Sequence, residues 1–224
     1  MIKENLVELF ASSIKENWEN PAFTDYFDKK TFTYQDVAEQ VAQLHLLFKK
    51  LNVQKNDKIA LVGKNGSLWC ITYIATVTYG AVIVPMLQDF PPENLTNIIN
   101  HSDSKILFTS DYIWNKLNAE ELPNVESVIS LEKFECISTK EEKNAKFIAD
   151  AEKAFKEKYP NGFTKEDIKY AEVPNSNVVC FSYTSGTTGF SKGVMLTANN
   201  FAGNITFGIT TKIIHKKKVL SFLP

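Results

Sequence analysis

The sequence predicts an α/β protein: a mostly parallel sheet flanked by helices. Three observations carry that expectation. Short apolar runs recur at Ile59–Val62, Ala81–Val84, Ile106–Thr109 and Val125–Ile129. Segments with helical spacing separate these runs, as repeated strand–helix–strand units require, and right-handed crossovers then make the neighbouring strands parallel. The chain has 224 residues and is 44% hydrophobic, which is enough to bury a sheet covered on both faces.

Taken in order, Leu6, Leu9, Phe10 and Ile14 form a helical stripe within residues 2–17, and a strand pair is expected at 22–25 and 31–34. Thr33 followed three residues later by Asp36 resembles a capping box, and Val37, Val41, Leu44, Phe48 and Leu51 continue it as one apolar stripe ending before Asn52. The period changes at Lys58, where a short buried strand is expected. Ser67 can then cap a helix over 68–79 that Gly80 ends, before a second strand over 81–84. Pro91 and Pro92 open a helix carrying Leu95, Ile98 and Ile99, followed by the strand over 106–109. A helix over 111–119 and the strand over 125–129 complete the alternation. The lysine- and glutamate-rich stretch 139–171 interrupts it and reads as a surface insertion, with Phe147, Ala151, Ala154 and Phe155 on one amphipathic helix.

Composition excludes several classes. The 25 basic and 26 acidic residues leave a net charge of −1, so no electrostatic footprint for nucleic acid appears. Every basic residue is lysine, so no guanidinium fork is available and an anion must be held by backbone N–H groups, hydroxyls and lysine. Cys70, Cys136 and Cys180 are odd in number and widely spaced, and the apolar runs around Cys70 and Cys180 suggest buried thiols in a reducing compartment rather than a disulfide or zinc framework. The N-terminal segment is interrupted by charges and lacks a signal-peptide core, so a cytoplasmic location is expected. Residues 65–88 carry no charge, but their threonines, Gly80 and Pro85 fit a buried helix feeding a buried strand better than a membrane span.

The segment that carries chemistry begins with the β-prone run 177–183 and continues into Thr184–Thr197, TSGTTGFSKGVMLT, as strand, polar loop and strand. Gly186 and Gly189 let the backbone turn where a side chain would clash, so successive N–H groups can converge on an anion. Thr184, Ser185, Thr187 and Thr188 add four hydroxyls, and Lys192 adds a compact positive charge. Together these suit a polyphosphate. Neither the dinucleotide fingerprint nor the nucleotide P-loop is present: Lys192 lies between Ser191 and Gly193, with no adjacent following Ser or Thr for magnesium.

Thr184–Gly193 resembles the phosphate-binding loop of the adenylate-forming superfamily, which comprises acyl-CoA synthetases, firefly-type luciferases and peptide-synthetase adenylation domains. TFTYQDV and the stretch from Asn56 to Met86 are similar to the N-terminal half of that family, and VMLT and SFLP look most like long-chain fatty acyl-CoA synthetases. The resemblance implies the N-terminal part of the acyl-CoA synthetase-like fold. It also implies ATP and a fatty acid as substrates, Mg²⁺, and capture of an acyl-adenylate by coenzyme A. By the same resemblance, Thr184, Ser185, Gly186, Thr187, Thr188 and Gly189 would hold the β- and γ-phosphates, Lys192 would serve catalysis close by, and Thr184 or Thr188 would lie near the magnesium.

Two departures accompany it. Phe190 and Ser191 stand where family members often have a polar residue and then proline, and the chain stops at Pro224 inside a motif that normally continues. The expected organisation is residues 1–52 as helices and a hairpin that would join a second sheet, and 53–224 as the parallel-sheet subdomain. Such a piece is expected to be catalytically silent alone and either to self-associate or to dock its first 50 residues in a rearranged position. No integral membrane segment is expected; peripheral membrane contact, an aryl or short-chain acid, and a non-enzymatic nucleotide- or partner-binding module stay open as alternatives. His45, His101 and His215 lack a second ligand at metal spacing, the 215–219 run reads as a solvated turn, and Trp18, Trp69 and Trp114 read as packing residues.

Overall fold

The computed structural model describes residues 4–184, 192–211 and 218–221. A seven-stranded sheet forms the centre, in the order β7–β6–β5–β3–β4–β8–β9. Strands β3 (Lys58–Val62), β4 (Val82–Met86), β5 (Ser104–Thr109), β6 (Ser127–Ser130) and β8 (Val178–Thr184) run parallel, while β7 (Cys136–Thr139) and β9 (Lys192–Thr197) flank them antiparallel. The expected mostly parallel sheet is therefore observed, with β7 as an edge strand the sequence reading did not include. A separate antiparallel hairpin pairs β1 (Pro21–Thr24) with β2 (Thr31–Thr33).

Alternation along the strands divides the core. Ile59, Leu61, Ile83, Phe108 and Ile129 face α1 (Leu6–Glu16), α2 (Tyr34–Lys50), α3 (Ser67–Tyr79) and α8 (Ala198–Thr210). Ala60, Val62, Val84, Leu107 and Val128 face α4 (Pro92–His101) and the short α5 (Asp111–Trp114). Both faces are covered, which is why the central strands read as unbroken apolar runs.

Local chemistry explains most boundaries. Thr33 and Asp36 make the full capping box at α2, and Val37, Val41, Leu44 and Phe48 are all buried. Gly80 closes α3 with φ +88°, a left-handed conformation where a side chain would be strained. The start of α3 differs from expectation. Ser67 lies inside the helix, and its backbone N–H is instead accepted by Asp25 Oδ1 at 2.9 Å, from the β1–β2 connection. The threonines that make α3 uncharged but not apolar satisfy themselves: Thr72, Thr76 and Thr78 donate to the carbonyls of Leu68, Thr72 and Ile74. Among the described residues no helix is long and apolar enough to cross a membrane.

Two further differences concern the second half. The helix expected over 111–119 ends at Trp114, and a 3-10 turn at Ala119–Glu121 follows. The stretch 139–171 holds two helices, α6 (Glu142–Ala149) and α7 (Ala151–Lys158), meeting at Asp150. Its distal part is not merely surface. Phe163 and Ile168 bury against Ile14 and Ala38, so this segment packs onto α1 and α2. The N-terminus is fastened to the approach of β8: Asn5 Nδ2 donates to the Val173 carbonyl at 2.7 Å, and Asn175 Nδ2 donates to the Glu4 carbonyl at 2.6 Å.

Candidate functional site

The sheet brings β8 and β9 together as an antiparallel pair. Its register runs from Cys180 opposite Leu196 through Tyr183 opposite Gly193 to Thr184 opposite Lys192. Thr184 and Lys192, the first and last residues assigned to phosphate binding, are therefore cross-strand partners, both exposed. Ser185, Gly186, Thr187, Thr188 and Gly189 lie outside the described residues. Because β8 runs parallel to β4, Thr184 sits at the carboxyl ends of the parallel strands, the edge where open α/β sheets bind ligands.

A small aromatic support holds this end of the pair. Tyr183 OH lies 2.7 Å from Nδ1 of His101, the last residue of α4, and the two rings meet edge to face with centroids 5.7 Å apart. A Cβ on Gly193 would come within 3.2 Å of the Tyr183 ring, so the glycine after Lys192 is what lets Tyr183 lie across β9. Burial raises the Tyr183 hydroxyl pKa, and nearby Asp103 adds to the rise, so the phenol stays protonated at neutral pH. Neither His101 nor Tyr183 was a predicted site residue. The pair spans 82 positions, and no local pattern signals it.

The remaining sequence candidates separate from this edge. Cys180 is buried in β8 with its thiol pushed up to about 11, chiefly by burial against the opposing hydrogen bond from Tyr73, so it is no nucleophile at neutral pH. Cys70 is only half-buried, against the expectation from its apolar run, and all three cysteines are free. Trp18 stacks on Phe163 and Trp69 on Tyr73, as packing residues do. Among the described residues no group of three or more His, Cys, Asp or Glu side chains could hold a metal.

Comparison with known proteins bears on the family and the fold. The luciferin 4-monooxygenase of Photuris pensylvanica is 28% identical over 193 residues, covering 83% of this chain and 33% of the relative. A long-chain-fatty-acid–CoA ligase of Escherichia coli O6:H1 is 24% identical over 241 residues, covering 99% of this chain and 42% of the relative. Thus the chain spans about two fifths or less of the length of these relatives. Among solved structures, a long-chain-fatty-acid-CoA ligase from Archaeoglobus fulgidus superposes with a TM-score of 0.71 at 20% identity, over 96% of this chain and 40% of that one. An anthranilate CoA ligase solved with anthranoyl-AMP gives 0.70 at 18% identity, over 90% and 35%. These solved structures share the fold. The sequence pattern described as AMP-binding enzyme matches residues 10–224, nearly the whole length, and the chain belongs to that family of adenylate-forming enzymes.

Proposed function

We propose that this chain is the N-terminal portion of a longer ATP-dependent ligase that joins a long-chain fatty acid to coenzyme A through an acyl-adenylate. The observation that supports it most is the pairing of Thr184 with Lys192, which closes the phosphate-loop motif between two strands at the carboxyl edge of the sheet. Residues 1–52 and 53–224 are proposed as its two structural units, the first completed by a second sheet. The long-chain ligases among its relatives support the fatty acid; the anthranilate ligase among its structural neighbours makes an aryl acid the second reading.

Within this reading, a carboxylate attacks the α-phosphorus of ATP, which brings two anions together and makes charge neutralisation the main demand. Lys192 faces the phosphates as a point charge held at the start of β9. Thr184 and the hydroxyls and N–H groups of Ser185–Gly189 donate to the β- and γ-phosphates and retain the departing pyrophosphate. Magnesium, when bound with ATP, supplies further charge neutralisation near Thr184. Tyr183, braced by His101, keeps the strand end that bears these groups in place.

Pyrophosphate release by the full-length enzyme, measured with palmitate, anthranilate and acetate in turn and with hydroxylamine to trap the acyl-adenylate, tests the assignment. Palmitate-dependent release is expected. Release only with anthranilate or acetate would replace the fatty acid by that class, and no release with any acid would favour a non-enzymatic nucleotide-binding module.

A further inference from the structure

The connection between β1 and β2 holds two large apolar side chains in solvent. Tyr26 is 68% and Phe27 75% exposed, and their rings meet edge to face with centroids 5.4 Å apart. Each ring carries an ammonium: Lys29 Nζ lies 4.1 Å from the centre of Tyr26, and Lys64 Nζ 4.3 Å from that of Phe27. Lys30 adds a third charge, 4.6 Å from the Phe32 ring. The turn that presents these groups is closed, because the Asp25 N–H donates to the Lys30 carbonyl at 2.9 Å. Three lysines stand here against Asp25 and Asp28, and Asp25 Oδ1 is taken by the Ser67 N–H, so the uncompensated charge is positive. Ser67 begins α3 and Lys64 lies just after β3, which fixes the tip beside the carboxyl end of β3. β4 alone separates β3 from β8, so the strand that ends at Thr184 lies roughly 10 Å away across the sheet.

The two rings offer roughly 300 Å² of exposed area. A stable protein interface needs about 800 Å² from each partner, well beyond what this tip supplies. A bilayer surface asks for no matching contour. Aromatic rings settle at the level of the headgroups, and lysines whose stems lie along those rings reach the lipid phosphates with their ammoniums. Three lysines are fewer than a polybasic segment uses, so attachment through them is weak, reversible and sensitive to salt.

We infer that the β1–β2 tip is a docking surface for an anionic bilayer, with Tyr26 and Phe27 entering the headgroup layer and Lys29, Lys30 and Lys64 facing the phosphates. Docking there sets the carboxyl edge of the sheet beside a store of membrane lipid. That use rests on the fatty-acid reading; the contact itself rests on exposure and charge.

Co-sedimentation of the 224-residue chain with lipid vesicles tests the contact. Vesicles of equal parts phosphatidylcholine and phosphatidylglycerol should carry the chain down, phosphatidylcholine alone much less, and added salt should release it. Phe27→Ser should weaken binding to the anionic vesicles roughly tenfold, and Lys64→Gln roughly fivefold. Both side chains are exposed, so neither change opens the core. Phe27→Trp should bind at least as tightly as the parent, and Met195→Ser, which removes a comparably exposed side chain from β9, should bind equally well. No binding to anionic vesicles, equal binding to both compositions, or unchanged affinity in Phe27→Ser would each overturn the docking surface. None of these outcomes bears on the fatty-acid reading, which pyrophosphate release decides independently.

Discussion

His101 and Tyr183 join the end of α4 to the end of β8 through a 2.7 Å hydrogen bond, and Tyr183 in turn lies against Gly193, the residue after Lys192. The strand end that bears Thr184 is thus fixed from the α4 side and packed from the β9 side. Gly193→Ala is expected to cost about 1–2 kcal/mol of stability, since its Cβ would crowd the Tyr183 ring in a place where the ring is tethered. Adding Tyr183→Ala removes the crowding, so the double variant should lose less than the sum of the two single ones in denaturant titration. Strict additivity would show that the contact carries no weight.

Lys192 is exposed, so Lys192→Ala should leave the unfolding midpoint within about 0.5 kcal/mol of the parent. In the full-length enzyme the same change should slow pyrophosphate release roughly tenfold to a hundredfold, the loss of one charge-assisted contact. Unchanged release would remove Lys192 from the site.

His45 gives the fold an acid sensitivity. Its folded pKa of about 4 is below the model-compound value of 6.5, with burial the first cause. Between those values the unfolded chain binds a proton that the folded chain refuses, so stability falls as pH drops from about 6.5 to 4 and levels off on either side. The loss is on the order of 3 kcal/mol. His45→Gln should flatten the curve in this window, measured as unfolding free energy against pH; an equal slope in the variant would assign the sensitivity elsewhere.

Asp25 caps a helix that begins 42 residues later in the chain. Asp25→Ala leaves the Ser67 N–H without its acceptor and should cost about 1 kcal/mol, while Asp25→Asn, which keeps a side-chain oxygen, should cost less. Chemical denaturation of both variants separates hydrogen bonding from charge; equal losses would show that the carboxylate charge at the helix start matters more than its oxygen.

What was legible in the sequence follows from how local each cause is. The α2 capping box needs only Thr33 and Asp36, and the Gly80 terminus needs one residue free to adopt positive φ, so both could be read directly. Apolar runs between helical stripes gave the parallel strands for the same reason. Failures begin where the partner is distant. Ser67 looked like the cap of α3 because nothing near it in sequence offered a better oxygen, whereas the fold delivers Asp25. The single helix expected across 139–171 breaks at Asp150, and Phe163 and Ile168 turn out to serve the core beside Ile14 and Ala38, a pairing that only tertiary packing defines. At the candidate site, the strand–loop–strand layout that makes Thr184 and Lys192 neighbours was legible from the motif, but the His101–Tyr183 support was not.

The junction between β4 and β8 has a consequence in time. These strands meet in register at one pair, Ile83 with Cys180, and Pro85 offers no N–H to extend the ladder. During synthesis β3, α3 and β4 emerge together and can close on β5 and β6, but residues 87–177 must be made before β8 arrives. Until then β4 waits on the ribosome with a bare flank. β8 and β9 are therefore the last strands of this sheet to be installed, and any chain released before Val178 carries an open apolar edge ready to recruit a stranger's strand.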